Sequence, residues 1–426
     1  MATRLNASFT VPGETRQASV DGAQEAPRDA GQEASARRPD SFSTDDYRDF
    51  GLGYEHEEFR TQLRRFIDNV LAPVAARGEE ENRFPGEVYA LLREHGYLAV
   101  NFPAEVGGAD GDVLMGCIFY EELTRAAAGV SAGVFAHQHL ACKPLLRFGT
   151  EEQKQEFMLP ALRAERIGAF GLTEPDAGSD IRGIRSTARR DGDDYVINGS
   201  KIFITNGGIA DFILVAARTG EGRGSDAITM FIVETSAPGF SASELKKVGN
   251  HSSSTALISL DDVRVHKSRI LGQEGRGITQ LKETLTEGRI LVANRGLAIG
   301  QEAFELILRY AGERKAFGQE IGKFQGVAFK VADMAMRADA VRLMIYRAAR
   351  LFMAGRDCTR EASMGKLLAS EFAVQGATTA LLLHGGAGYL EEMKVARLFR
   401  DAPEAWIGEG TNEIQLMVIA KTLGLL

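Results

Sequence analysis

The spacing of apolar positions changes twice along the chain and marks three blocks. From Tyr54 the period is helical. Phe59, Leu63, Phe66 and Val70 fall three or four residues apart, on one face of a helix whose end is expected near Pro73. The same period runs through Val88–Tyr97, Val113–Ala127 and Glu151–Ala164, and NFPAEVGG, Asn101 to Gly108, separates two of these helices. Between about Ile184 and Val265, β-branched residues gather in short runs bounded by turn residues, and FILVAA, ITMFIVE and TALISL read as strands. In YVINGSKIFIT, Asn198-Gly199 lies between two apolar runs and suits the positive φ angles of a type I′ turn, so a hairpin is expected there. This spacing predicts a small antiparallel sheet. After GQEGRG, Gly272 to Gly277, the helical period returns in Ile278–Lys315, Gln325–Gly355 and Arg360–Leu383, and a last helix follows Asn412. Long antiparallel helices imply a bundle.

At 426 residues the chain exceeds one ordinary core, so two or three domains are expected. A net charge of −8 leaves no footprint for nucleic acid or anionic lipid, and no apolar run is long enough for membrane insertion. Cys117, Cys142 and Cys358 are far apart and form no CxxC, which argues against a zinc site or a disulfide framework and for a reducing compartment. Residues 1–50 mix small residues with charges of both signs and are expected to be a disordered extension. Its arginines raise a mitochondrial matrix location as an alternative. Glu14, Asp21, Glu25, Asp29 and Glu33 argue against a transit peptide and favour the cytoplasm.

Five stretches carry candidate chemistry. GLTEPDAGSD, Gly171 to Asp180, is small and polar, and its backbone N–H groups could meet a ligand; a turn-rich linker explains it as well. In KIFITNGG, Phe203 and Thr205 share strand parity and could stack on and bond to a flat ring, or simply end a strand. In ERKAFG, Arg314 and Phe317 are three apart at a helix end and are expected to share a face. HGGAGY, His384 to Tyr389, bares the backbone or breaks a helix, and His384 reads as structural. WIGEGTNEIQ sets one carboxylate, Glu409, between two glycines after an apolar run expected to deliver it to a buried site. No GxGxxG, GxSxG, Walker A or HExxH pattern occurs.

In this order and on this helix–sheet–helix layout, the five stretches resemble the acyl-CoA dehydrogenase family over about Tyr54 to Leu426. The resemblance implies an α+β, mainly α fold: an N-terminal helical domain over 51–168, a middle antiparallel β domain over 169–275 and a C-terminal four-helix bundle over 276–426. It implies FAD as cofactor and α,β-dehydrogenation of an acyl thioester, with Glu409 taking the α-proton and the flavin N5 taking the β-hydride. Phe170, Leu172, Thr173, Gly178, Ser179, Phe203 and Thr205 match FAD positions on the β domain. Arg314, Phe317, Gln325, Gly385 and Gly386 match contacts to the FAD of a neighbouring subunit. Thr411 and Glu413 match FAD contacts after the base. Ser179, Arg289 and Gly410 match thioester-side positions, with Gly408 and Gly410 expected to leave room beside the base. Some relatives carry the base at the position of Gly288; here Glu287, one residue earlier, points elsewhere on the helix. The implied partners are an electron-transfer flavoprotein as acceptor and further copies of the chain, as a homodimer or homotetramer. Two departures stand out: Leu382 where the family places Gln, and Thr286 where Asp is frequent. The first implies one missing polar contact to FAD; the second falls where relatives touch the carrier arm and leaves the carrier open between coenzyme A and an acyl carrier protein. The alternatives are a flavin monooxygenase or nitrososynthase on the same fold, and a non-catalytic interaction member.

Overall fold

In the computed structural model, residues 50–220 and 227–426 are described, so the expected N-terminal extension lies, but for Phe50, outside the described residues. Helix α1 (Tyr54–Phe66) carries Glu55 and Glu57 in its first turn and Arg64 and Arg65 in its last, matching the helix dipole. It buries Leu63 and Phe66 as the periodicity predicts. Pro73 does not end the run. A π-turn, Ile67–Leu71, leads into α2 (Ala72–Glu81), which holds Pro73 in its first turn, where the missing N–H has no helical partner to lose. The block continues through α3 (Val88–Glu94), α4 (Val113–Ala126), α5 (Ala128–Phe135), a π-helical segment Ala136–Cys142, α6 (Lys143–Phe148), α7 (Glu151–Gln153) and α8 (Leu159–Leu162). Asp112 caps α4, its carboxylate accepting from the Met115 N–H at 2.8 Å.

The middle block is one sheet of β1 (Gly168–Gly171), β2 (Thr187–Asp191), β3 (Asp194–Thr205), β4 (Phe212–Arg218), β5 (Ile228–Glu234), β6 (Phe240–Glu244) and β7 (Thr255–His266). The order is β1-β4-β2-β3-β7-β6, with β5 also paired to β4. Most pairs are antiparallel, but β1 and β2 run parallel to β4, which the expected all-antiparallel sheet did not include. β4 and β5 are buried on both faces over Phe212–Ala217 and Ile228–Val233, which is why they read as unbroken apolar runs. Asn198-Gly199 is not a hairpin turn. It lies within β3 at a bulge, where a Cβ on Gly199 (φ +147°) would collide with Oγ of Ser186. The turn falls earlier, at Gly192-Asp193, between the paired Asp191 and Asp194. Gly192 has φ +65°.

The third block is α9 (Gly277–Glu313), a hairpin of β8 (Lys315–Ala316) and β9 (Gln319–Glu320), α10 (Gln325–Met353), α11 (Thr359–His384), α12 (Lys394–Asp401), α13 (Glu404–Ile407) and α14 (Asn412–Thr422). Helices α9, α10, α11 and α14 form the bundle, with α9 packed on α4 as well. A buried charge network ties the first block to it. Arg60 donates to Glu121 at 3.0 Å and Glu122 at 2.7 Å, and Arg342 of α10 donates to both Glu121 oxygens at 2.8 Å. Among the described residues no helix is long and apolar enough to cross a membrane, and all three cysteines are free and buried.

Candidate active site

Glu409 stands on the link between α13 and α14. Thr411 caps α14 through its hydroxyl, which accepts from the Ile414 N–H at 3.4 Å. Gln415 donates to the Glu409 carbonyl at 3.3 Å and the Gly410 carbonyl at 3.0 Å. From α11, Lys366 Nζ donates to the Gly410 carbonyl at 2.8 Å, and the Ser370 hydroxyl donates to Asn412 at 2.8 Å. These bonds hold two successive left-handed residues, Glu409 at φ +57° and Gly410 at φ +90°. Such a conformation is uncommon for a glutamate and persists only where its surroundings over-determine it.

The Glu409 carboxylate faces α9. A Cβ built on Gly288 would lie 3.6 Å from Glu409 Oε2 and 2.8 Å from His139 Nε2, so the bare position leaves room for both. Position 288 therefore addresses the same space as Glu409, whereas Glu287 turns to Lys143 at 3.4 Å. Burial pushes the Glu409 pKa above the ordinary carboxylate value; Arg289, Arg295 and Lys366 pull it down, and Glu404 adds to the rise. Arg289 is buried with its Nε unpaired, and that burial holds its pKa below the usual guanidinium range against the opposing pull of Glu409.

Spacing gave no hint of His139. It sits in the π-helical segment, a type of distortion frequent at functional sites, with Nδ1 unpaired and the ring stacked on Phe135.

The GLTEPDAGSD loop folds around a pair that the sequence did not single out. Glu174 accepts from Lys201 Nζ at 2.6 Å and from the backbone N–H groups of Arg185 and Ser186. Lys201 also reaches the Leu172 carbonyl at 3.3 Å, and Ile202 N–H bonds the Thr173 carbonyl at 2.9 Å. Lys201 belongs to the KIFITNGG stretch, which drew attention only to its aromatic and hydroxyl side chains. This frame leaves Phe170, Leu172 and Thr173 half-buried and Gly178 and Ser179 exposed. A bulge at the end of β3 puts Phe203 at φ +60°, 65% exposed, while Ile204 enters the core and Thr205 stays half-buried.

Arg314 and Phe317 do not share a helix face. Helix α9 ends at Glu313, and the extended Arg314 starts the β8–β9 hairpin, with Phe317 and Gly318 at its tip at φ +51° and +82°. Both central residues at positive φ make a type I′-like turn, which lifts Phe317 to 97% exposure. Arg314 meets Gly385 and Gly386 in one open cleft with Tyr310 and His384. A Cβ on either glycine would meet open space, so bare backbone faces the cleft. His384 bonds the Ala380 carbonyl at 2.7 Å and stacks on Tyr310, in keeping with a structural role. Gln325 is exposed at the start of α10, and Glu413 is exposed in the first turn of α14.

The apolar run before Glu409 is not buried in this chain: Trp406 and Ile407 are exposed. Gly408 also differs from expectation. A Cβ there would collide with Oε1 of Glu404, so the glycine makes room for that carboxylate.

Family models match all three blocks: the acyl-CoA dehydrogenase N-terminal domain at residues 54–165, the middle domain at 169–263 and the C-terminal domain at 275–424. The chain is similar to a short-chain-specific acyl-CoA dehydrogenase of Clostridium acetobutylicum, 40% identical over 87% of this chain and 98% of that one. Its fold matches butyryl-CoA dehydrogenase from Megasphaera elsdenii with a TM-score of 0.84 at 39% identity, covering 87% of this chain and 98% of that one. A prolyl acyl carrier protein oxidase also matches, with a TM-score of 0.83 at 33% identity over 88% of this chain and all of that one. With a helical block, a β middle block and a helical bundle each matched in order, this chain belongs to the acyl-CoA dehydrogenase family.

Proposed function

We propose that the chain is an FAD-dependent dehydrogenase that removes hydrogen from the α and β carbons of an acyl thioester, with Glu409 as the base. The observation that carries this reading is the placement of Glu409: a left-handed, half-buried carboxylate beside Gly288 and Arg289, with a raised pKa. A carboxylate whose pKa is raised toward the operating pH is a better acceptor for the weakly acidic α-proton. Arg289, Arg295 and Lys366 oppose that rise.

The residues present fit FAD. Phe203 offers an exposed ring beside the GLTEPDAGSD loop, and Gly385 and Gly386 offer bare backbone beside Arg314. Phe170, Leu172, Thr173, Gly178, Ser179 and Thr205 would hold the flavin end. Arg314, Phe317, Gln325, Gly385 and Gly386 would hold the adenine and pyrophosphate end, and Thr411 and Glu413 would add contacts after the base. When bound, FAD supplies the acceptor for the β-hydride. Gly288 and Arg314 are separated by about 39 Å along α9, taking 1.5 Å per residue. That is further than one dinucleotide reaches, which supports a cofactor site completed by a second copy of the chain. The exposed Phe317, Leu382, Tyr389, Ile407 and Leu416 supply apolar surface for such a dimer or tetramer. We further infer an electron-transfer flavoprotein as acceptor and a cytoplasmic setting, in keeping with three unoxidised cysteines.

The test is Glu409→Gln. The variant is expected to keep FAD and ligand while kcat/KM falls about 10²- to 10⁴-fold, the usual worth of a positioned base. Wild-type turnover in that variant would exclude Glu409 as the base.

A further inference from the structure

Lys366 stands on α11 against the link that carries Glu409, and is only 2% exposed. Its Nζ donates to the Gly410 carbonyl at 2.8 Å and to Asn412 Oδ1 at 3.4 Å. One turn later on α11, the Ser370 hydroxyl donates to the same Asn412 oxygen at 2.8 Å. Among the described residues no carboxylate pairs with Lys366 directly; Glu404 bonds Arg295 instead, at 3.2 Å.

The Gly410 carbonyl does not need a cation. Gln415 also donates to it, at 3.0 Å, so a neutral side chain can hold this peptide. A buried ammonium loses its hydration and is costly where no carboxylate meets it. Burial brings the Lys366 ammonium down to about 8; Glu404, Glu409 and Glu413 oppose that shift, and Arg289 adds to it. What a lysine supplies here beyond a second amide is its charge. That charge favours the ionised form of Glu409. The other charges that act on the base come from elsewhere: Arg289 and Arg295 from α9, which favour the ionised form, and Glu404 from α13, which opposes it. His139, across Gly288, is held below its usual value by burial and adds no charge near neutral pH.

We propose that Lys366 is a positioning residue for the reaction: it aims the Glu409 carboxylate by holding the Gly410 carbonyl, and its ammonium keeps that carboxylate ionised. The proposal rests on the reading of Glu409 as the base of an acyl thioester dehydrogenase. The Lys366 donors are spent on the main chain and on Asn412, so the residue acts through Glu409 and not on the thioester.

The experiment uses the FAD-loaded enzyme with butyryl-CoA, as wild type, Lys366→Met, Lys366→Gln and Lys366→Arg. Turnover is followed along the acid limb of the pH profile. The Glu409 carboxyl is titrated by infrared difference spectroscopy, with Glu409→Gln marking its band. Lys366→Met is expected to lower kcat about 10- to 100-fold, the range of one charge-assisted hydrogen bond, with KM little changed. Its limb should move to higher pH, though less far than in Arg289→Met, because Arg289 is the larger influence on Glu409. Lys366→Gln keeps a donor on a shorter side chain; it should recover part of kcat and keep the shifted limb. Lys366→Arg keeps the charge and should bring the limb back. A limb that stays in place in the methionine and glutamine variants overturns the proposal, as does wild-type kcat in both. A loss that is equal in all three variants and comes with loss of FAD marks a purely structural role and also overturns it. The infrared titration needs no turnover. If butyryl-CoA is not a substrate, or if Glu409→Gln turns it over like wild type and so is not the base, the titration decides alone: a Glu409 band that shifts in Lys366→Met upholds the coupling, and one that does not ends it. If Lys366→Met does not fold, the glutamine and arginine variants decide by the same limb and band.

Discussion

Lys201→Met removes the cation that frames the GLTEPDAGSD loop while keeping a chain of similar length. Lys201 is fully buried and Glu174 nearly so, 2.6 Å apart. Burial alone would push the Glu174 carboxyl up; Lys201 and the hydrogen bonds from Ser186 and Arg185 hold it below its usual value. Burial lowers Lys201 to about 8, with Glu174 opposing that shift. Losing one partner of a buried pair costs about 3–5 kcal/mol. Glu174 keeps two backbone donors, so the low end, about 3 kcal/mol, is expected. At ~2 °C per kcal/mol for a large chain, the melting temperature should drop by about 6 °C. FAD should bind more weakly, because Leu172 and Thr173 are positioned by the same pair. Thermal unfolding and flavin-fluorescence titration measure the two effects. Glu174→Gln in the Lys201→Met background should recover part of the loss, since no charge then stays buried. The pH dependence has a defined sign. A carboxyl depressed by folding adds stability above 4.5 and loses it as pH falls through its folded value, so Lys201→Met should flatten the acid loss. An unchanged melting temperature together with unchanged FAD affinity would refute this account of the loop.

The raised pKa of Glu409 predicts that kcat/KM climbs with pH along a limb centred above 4.5, and that Arg289→Met moves the limb higher by removing a charge that lowers it; a limb that does not move counts against their coupling. Gly410→Ala forces a Cβ at φ +90° to within 3.1 Å of Gln415 Nε2 and 3.3 Å of Ile414 Cγ2. About 1–3 kcal/mol of strain and weaker thioester binding should follow, and unchanged ligand affinity in calorimetry would contradict it. Asp401 is buried, bonded to the Asn250 N–H at 2.6 Å, and pushed to about 7 by burial and then by Glu79. A raised carboxyl adds stability that is complete below 3.8 and lost as pH rises through 7. Asp401→Asn should therefore raise the melting temperature at pH 8 more than at pH 5, and equal shifts at both would show that the group does not titrate there.

Secondary structure was most legible where one face of an element is buried and its period is long. Helices α4, α9, α10 and α11 fall within a residue or two of the apolar periodicity, and β4 and β5 match their apolar runs. Errors came where a local signal has two solutions. Asn-Gly suits a hairpin turn and a bulge alike, and only the close approach of Ser186 chose the bulge. Pro73 suits a helix end and a helix start alike, and a π-turn chose the start. Arg314 and Phe317 share a face only if α9 continues through Phe317, and it ends at Glu313, before either of them.

The sequence by itself determined the family and the order of the three blocks, and it singled out Glu409 as the candidate base, because five motifs in order are a one-dimensional signal. Tertiary structure decided what surrounds that carboxylate. Gly288, His139, Arg289, Arg295, Lys366 and Glu404 come from four separate segments and meet only when α9, α11, α13 and the π-helical segment pack together. The same packing turned Gly408 from space for a ligand into space for Glu404. Charge in a low-dielectric interior depends on which groups are close, and closeness between distant segments is set by the fold, not by spacing along the chain.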